Sequence, residues 1–167
     1  KIITNAEEIQ AINTNETTLA GYYVLDADID LKEYGASYDG GKGWKPIGIY
    51  QDALAPENTR LAFTGTFDGN GHVIKNLYIN RAGDKSGFNC GFFGYIKAGA
   101  VVKNVGFEKG EIGEVLSNSY SGVIAGVNYA AISNCYVTVP IKATTAPSYK
   151  WASGIAGRNV GSIENCY

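Results

Sequence analysis

The chain has 167 residues, a net charge of −2, 18% charged residues and 45% hydrophobic ones, enough apolar content for a continuous core and too little charge for a disordered segment. The near-neutral balance leaves no basic stripe for nucleic acid, and no apolar run approaches the roughly 18 residues of a membrane-spanning helix. Twenty-two glycines and twelve tyrosines suit a turn-rich all-β chain, and the absence of an initiating methionine reads as a mature or trimmed chain.

The first 20 residues read as a cap. Thr4-Asn5-Ala6-Glu7 is a capping box, and Ala6, Ile9 and Ile12 share one face of a short helix that ends before Asn13. From Tyr22 to Leu31 the pattern changes to strict alternation. Leu25, Ala27, Ile29 and Leu31 interleave with Asp26, Asp28 and Asp30, which predicts one strand with a buried face and an acidic face. Residues 21–62 are read as the first coils, carrying a long loop.

Residues 63–167 repeat. Val73-Ile74-Lys75-Asn76-Leu77-Tyr78-Ile79 is echoed by Val101-Val102-Lys103-Asn104-Val105-Gly106-Phe107, by Ala131-Ile132-Ser133-Asn134-Cys135-Tyr136-Val137 and by Ser162-Ile163-Glu164-Asn165-Cys166-Tyr167. A period of about 30 residues is the mark of a repeat architecture. Within each copy the apolar residues fall at i, i+3 and i+5, so alternation slips at the asparagine, a residue that tolerates left-handed backbone. The chain is therefore expected to bend there and to stack Asn76, Asn104, Asn134 and Asn165 as an amide ladder at a corner. Phe63, Phe92, Ile124 and Ile155 each precede a glycine by two residues, at Gly65, Gly94, Gly126 and Gly157, and predict a second inward strand with a tight bend. The fold class expected is an all-β, right-handed parallel β-helix, a solenoid of one domain over residues 1–167 with a short N-terminal capping helix. The chain stops inside its fourth copy, which reads as a cut within a longer array or as an end covered by a dimer.

Three cysteines are present. Cys135 and Cys166 hold equivalent places in neighbouring copies, near the separation of a disulfide, but they read first as buried thiols acting as small core residues. Cys90 leaves the count odd.

Phe63-Thr64-Gly65-Thr66-Phe67-Asp68-Gly69-Asn70-Gly71-His72 followed by Ile74-Lys75-Asn76-Leu77, and Gly154-Ile155-Ala156-Gly157-Arg158-Asn159 with Ile163-Glu164-Asn165-Cys166-Tyr167, resemble the GLUG-motif repeat proteins. Tyr23-Val24-Leu25-Asp26-Ala27-Asp28-Ile29-Asp30-Leu31 and Trp44-Lys45-Pro46-Ile47-Gly48 look like the segment that precedes such repeats. The resemblance covers residues 20 to 167, departing from the pattern at Val105 and Gly106. It implies a right-handed parallel β-helix in secreted or surface-attached bacterial proteins, including adhesin-like chains and non-catalytic regions of immunoglobulin A peptidases. It implies no single activity.

Chemistry is sparse. His72 is the only histidine and follows a glycine-rich turn, where a structural role is the simpler reading. Asp26, Asp28 and Asp30 are the metal candidates: a calcium ion would need oxygens from the loop Lys32 to Gly43 as well, and a solvated strand face explains the same residues. A lyase would recruit Lys75, Arg81 and Asp68, and a paired-carboxylate hydrolase Asp68 with Asp84. Binding is favoured over catalysis. Tyr78, Tyr136 and Tyr167 are expected to point outward from equivalent places, with Gly106 leaving a gap in their stack, or else to pack beneath the long excursions. Trp151, beside Tyr149 and Lys150, is expected to be exposed, and Trp44 to pack on the cap. The chain is thus read as a non-catalytic extracellular or cell-surface module that binds glycans or host proteins through Tyr78, Tyr136, Tyr149 and Trp151. The alternatives are the β-helical part of a secreted enzyme, or a stalk.

Overall fold

The computed structural model describes residues 1–48, 61–81, 89–113, 120–142 and 151–167. Short strands pair in parallel, and neighbours within a sheet come from successive passes of the chain. The first sheet runs Ile2–Ile3, Tyr22–Leu25, Thr66–Asp68, Val101–Lys103, Ala131–Ser133, Ser162–Glu164. The second runs Ile29–Asp30, Val73–Ile79, Gly106–Ile112, Tyr136–Val137. The third joins Phe93–Ile96, Ala125–Asn128 and Ala156–Asn159, and the fourth Tyr120–Gly122 and Trp151–Ser153. This is an all-β, β-helix-like arrangement with few helices.

The register explains the core. Tyr23, Phe67, Val102, Ile132 and Ile163 are successive partners along the first sheet, and Ile29, Ile74, Phe107 and Val137 along the second. Like side chains stack on like positions, so one hydrophobic cluster reaches from Ile3 to Ala156. At its centre Phe92 meets Phe67, Phe93 and Phe107 edge-on, at centroid distances of 5.6, 5.0 and 5.2 Å. Trp44 belongs to the same buried cluster as Ile9 and Ile12 of the cap. It is fully buried, lies parallel to Phe92 at 5.2 Å, and donates its indole N–H to the Phe92 carbonyl at 3.1 Å.

The N-terminal helix forms, with its N-cap one residue later than the sequence suggests. Asn5 is the N-cap, accepting from the Glu8 N–H at 3.0 Å, while the Glu8 carboxylate accepts from the Thr4 N–H and hydroxyl at 2.8 and 3.1 Å. Helix Ala6–Gln10 passes into a tighter turn at Ala11–Asn13, and a second one-turn helix, Glu16–Leu19, starts from an Asn15–Thr18 capping box. Ile9, Ile12 and Leu19 are buried, and Asn13 fastens the cap to the first coil by bonding the Pro46 carbonyl and the Gly48 N–H.

Tyr22 to Leu31 is not one strand. The chain leaves the first sheet at Leu25, turns through Asp26-Ala27-Asp28 and enters the second at Ile29, yet burial alternates throughout. Later coils turn this corner in two residues. Asn104 and Asn134 take left-handed backbone (φ 56° and 54°) while Val105 and Cys135 stay inside, which is the origin of the i, i+3, i+5 spacing.

The first copy of the repeat is displaced from the other three. Its first-sheet partner to Val101–Lys103 is Thr66–Asp68, so Gly69 faces Asn104, and Asn76 lies farther along the second sheet, opposite Lys109. Both Asn76 and Lys109 are left-handed, with φ of 60° and 55°. On the third sheet Ile47 pairs with Phe93 and Phe63 with Ile96, so Gly48, not Gly65, is the first-coil counterpart of Gly94. The segment 63–79 imitates the repeat because a strand, a left-handed residue and another strand occur twice in that coil.

Candidate functional site

The amide ladder defines one outer edge. Asn165 Nδ2 donates to Asn134 Oδ1 and Asn134 Nδ2 to Asn104 Oδ1, each at 3.2 Å, and Asn104 Nδ2 donates to Asp68 Oδ1 at 3.0 Å. Asp68, not Asn76, receives the row. Burial opposes ionisation of Asp68, but Asn104, the Asn70 N–H and Lys103 (3.2 Å) outweigh it and hold the carboxyl below its ordinary value. Asn76 makes a parallel contact of its own, donating to Asp30 at 2.7 Å.

Beside the ladder lies a groove of about 320 Å³, lined by Asn70, Asn104, Asn134, Gly106 and Tyr136 among others. Gly106 leaves no gap in it. Tyr136 pairs with Gly106 across the sheet and lays its ring over it, and the three atoms nearest a β-carbon at Gly106 all belong to Tyr136. The Tyr136 hydroxyl donates to Glu108 at 2.6 Å. That bond, with burial and the Glu108 charge, pushes the phenol up to about 12. Tyr167, 84% exposed, stacks on Tyr136 at 5.8 Å and 15°. Tyr78 does not join this column: its cross-strand partner is Glu111, it is half-buried, and its ring packs beside Gly43.

A second aromatic row rises from the fourth sheet. Trp151 pairs in register with Tyr120 and stacks on it at 4.8 Å and 29°, remaining 43% exposed. The Arg158 guanidinium lies over Tyr120 at 5.6 Å and over Tyr129 at 5.9 Å, and Tyr129 packs on Tyr95 at 5.5 Å. Sequence reasoning reached Trp151 but not its companions. The signal was present, because Tyr120-Ser121-Gly122-Val123-Ile124-Ala125-Gly126 and Trp151-Ala152-Ser153-Gly154-Ile155-Ala156-Gly157 align position by position. Tyr149, Lys150 and Asp84 lie outside the described residues.

The three aspartates diverge in role. Asp28 takes the Lys75 ammonium at 2.8 Å, the Val73 N–H at 3.0 Å and His72 Nδ1 at 3.3 Å. The Lys75 bond above all, then the Val73 N–H, holds its carboxyl down at about 2. Asp30 accepts from Asn76 and the Lys32 N–H, which keeps it low as well against the opposing effect of burial. Both line a groove of about 370 Å³ with Glu7 and Glu33. Asp26 does not line it. Among the described residues no group of three or more His, Cys, Asp or Glu side chains is placed to hold a metal ion.

The residues a lyase would need are likewise committed elsewhere. Lys75 is tied to Asp28 and Asp68 to Lys103. Arg81, 4% exposed, reaches Asp39 at 2.7 Å, the Gly43 carbonyl at 3.1 Å and the Trp44 carbonyl at 3.0 Å. No disulfide joins Cys90, Cys135 and Cys166. Burial pushes Cys135 up to about 12, while Cys166 is half-buried.

No family model matches the chain. It is 34% identical over 131 residues to halomucin of Haloquadratum walsbyi, an alignment covering 78% of this chain and 1% of that protein. It is 32% identical over 118 residues to a "Putative Gly-rich membrane protein" of Evansella cellulosilytica, covering 71% of this chain and 12% of the other. Among the described residues no helix is long and apolar enough to cross a membrane. The crystal structure of "a putative immunoglobulin A1 protease from Bacteroides ovatus" superposes with a TM-score of 0.59 at 25% identity, over 99% of this chain and 56% of that one. The chain thus spans about half of its structural neighbour and a small fraction of the two sequence relatives.

Proposed function

We propose that this chain is a non-catalytic module of an extracellular or cell-surface protein, a right-handed parallel β-helix of GLUG-type repeats that binds glycans or host proteins along its outer face. One observation carries the reading: aromatic rings stack on adjacent coils, exposed Trp151 on half-buried Tyr120 and exposed Tyr167 on half-buried Tyr136. Such rows offer flat apolar faces at the spacing of a sheet, rimmed by amides and hydroxyls, which is the surface a sugar ring or a partner's side chains need. Lys75, Arg81 and Asp68 are each tied to a separate ion-pair partner, which favours binding over catalysis by those three residues. Names of the relatives that speak of a mucin and a membrane protein support a surface setting.

The test is a glycan array and a host-protein screen of the chain, with and without calcium, alongside Trp151→Ala and Tyr136→Ala. Saturable binding lost in either variant supports the reading. Folded protein with no binding, or binding indifferent to both variants, refutes it. Calcium dependence would point to the groove of Asp28 and Asp30. A second reading, a β-helical accessory part of a secreted protease, is favoured by the likeness to the Bacteroides ovatus structure, of which this chain matches only a part. It predicts partner binding without glycan binding.

A further inference from the structure

The two arginines of the described residues are treated in opposite ways: Arg81 is buried against Asp39 and two carbonyls, whereas Arg158 is exposed and joined to no described acid. Its guanidinium is still held. Tyr95, Val127 and Arg158 form one register column of the third sheet, and the rings of Tyr120 and Tyr129 both face the guanidinium. A guanidinium that lies on rings keeps its N–H edge free, and the rings displace water from its flat faces. That edge matches a carboxylate in a bidentate pair. Trp151 stands on Tyr120 at 4.8 Å, so the row presents an exposed indole, then a tyrosine, then an oriented cation.

We infer that this row is a site for a carboxylate-bearing saccharide, with one sugar ring on Trp151 and the carboxylate of a neighbouring uronate on Arg158. The inference rests on the sugar-binding reading above and adds the charge of the ligand. Trp151 supplies stacking for any pyranose, and Arg158 selects the acid. Screening by salt weakens the second contribution and leaves the first.

The experiment is titration of the chain with a linear hexauronate and with its methyl ester, which keeps the sugar and removes the charge. The acid is expected to bind about tenfold more tightly than the ester in low salt, with the gap closing as salt rises. Arg158→Gln is expected to erase the difference between acid and ester, Arg158→Lys to restore only part of it, and Trp151→Ala to weaken both ligands. Circular dichroism confirms that each variant is folded. Equal affinity for acid and ester, a preference that survives Arg158→Gln, or no binding of hexauronate would each overturn the inference. If neutral array glycans still bind through Trp151, the glycan-binding module stands and only the anionic site falls. If no saccharide binds at all, both fall.

Discussion

Replacing Gly106 with alanine is predicted to cost the fold about 2 kcal/mol, and only while Tyr136 is present. A β-carbon there would stand 2.7 Å from the Tyr136 hydroxyl oxygen and closer still to two ring carbons, well inside ordinary contact. Moving the ring out by about an ångström breaks the 2.6 Å bond to Glu108, worth about 1.5 kcal/mol for a part-buried bond to a charged acceptor. It also disturbs the stack on Tyr167, worth about 0.5 kcal/mol. Gly106 is not among the positive-φ residues, so alanine meets no backbone penalty and gains some tenths of a kcal/mol from a less flexible unfolded chain. Thermal and urea unfolding of the wild type, Gly106→Ala, Tyr136→Ala and the double variant close a double-mutant cycle. The single glycine variant should lose about 4 to 8 °C in melting temperature for a domain of this size. In the Tyr136→Ala background the same change should be neutral or slightly stabilising. An equal loss in both backgrounds would show that Gly106 is required by the backbone, and the account of Tyr136 lying over it would be wrong.

Further predictions concern the ladder, the acid limb and the buried arginine. Asn134→Gly should cost about 1 kcal/mol for two exposed amide bonds, and Asn134→Ala about 1 kcal/mol more, because φ is 54° there; equal costs in urea unfolding would remove the left-handed corner from the explanation. Asp28 has its folded pKa depressed to about 2, so its contribution is full above an unfolded value of about 4 and is lost as pH falls through about 2. The difference in urea midpoint between wild type and Asp28→Asn should therefore persist at pH 5 and shrink toward zero near pH 2, and a difference that grew on acidification would contradict the assigned partners. Arg81→Lys should destabilise by about 2 kcal/mol, since an ammonium cannot serve Asp39, Gly43 and Trp44 together; an unchanged melting temperature would count against that clamp.

The sequence disclosed the three later coils almost position by position. Val102, Ile132 and Ile163 pair as the asparagine spacing requires, and the alternation of Leu25, Ile29 and Leu31 holds even where the strand breaks. It misled in the first coil. Phe63-Thr64-Gly65 and Ile74-Lys75-Asn76 copy the local chemistry of the repeat, but register is set by which strands pair, and a string of residues cannot say that it has slipped along the coil. Asp68 was invisible as the end of the ladder because a carboxylate accepts what an amide accepts without resembling it in the motif. The aromatic rows were half legible: Trp151 stood out beside Tyr149 and Lys150, whereas Tyr120 and Arg158 needed the period of about 30 residues to be carried from the asparagines to the segments around the recurring glycine.

All the amides of the ladder point the same way, each donating toward the N-terminal side and leaving its own oxygen for the coil that follows. A direction of this kind makes the coil an interchangeable unit. Duplicating or deleting one whole turn leaves every donor with an acceptor, because the incoming asparagine meets the same oxygen its predecessor met. Length can then change by whole turns without exposing an unpaired amide, which gives such scaffolds a chemical route to great size. Tandem gene duplication would be tolerated here at the corner where most folds would resist it.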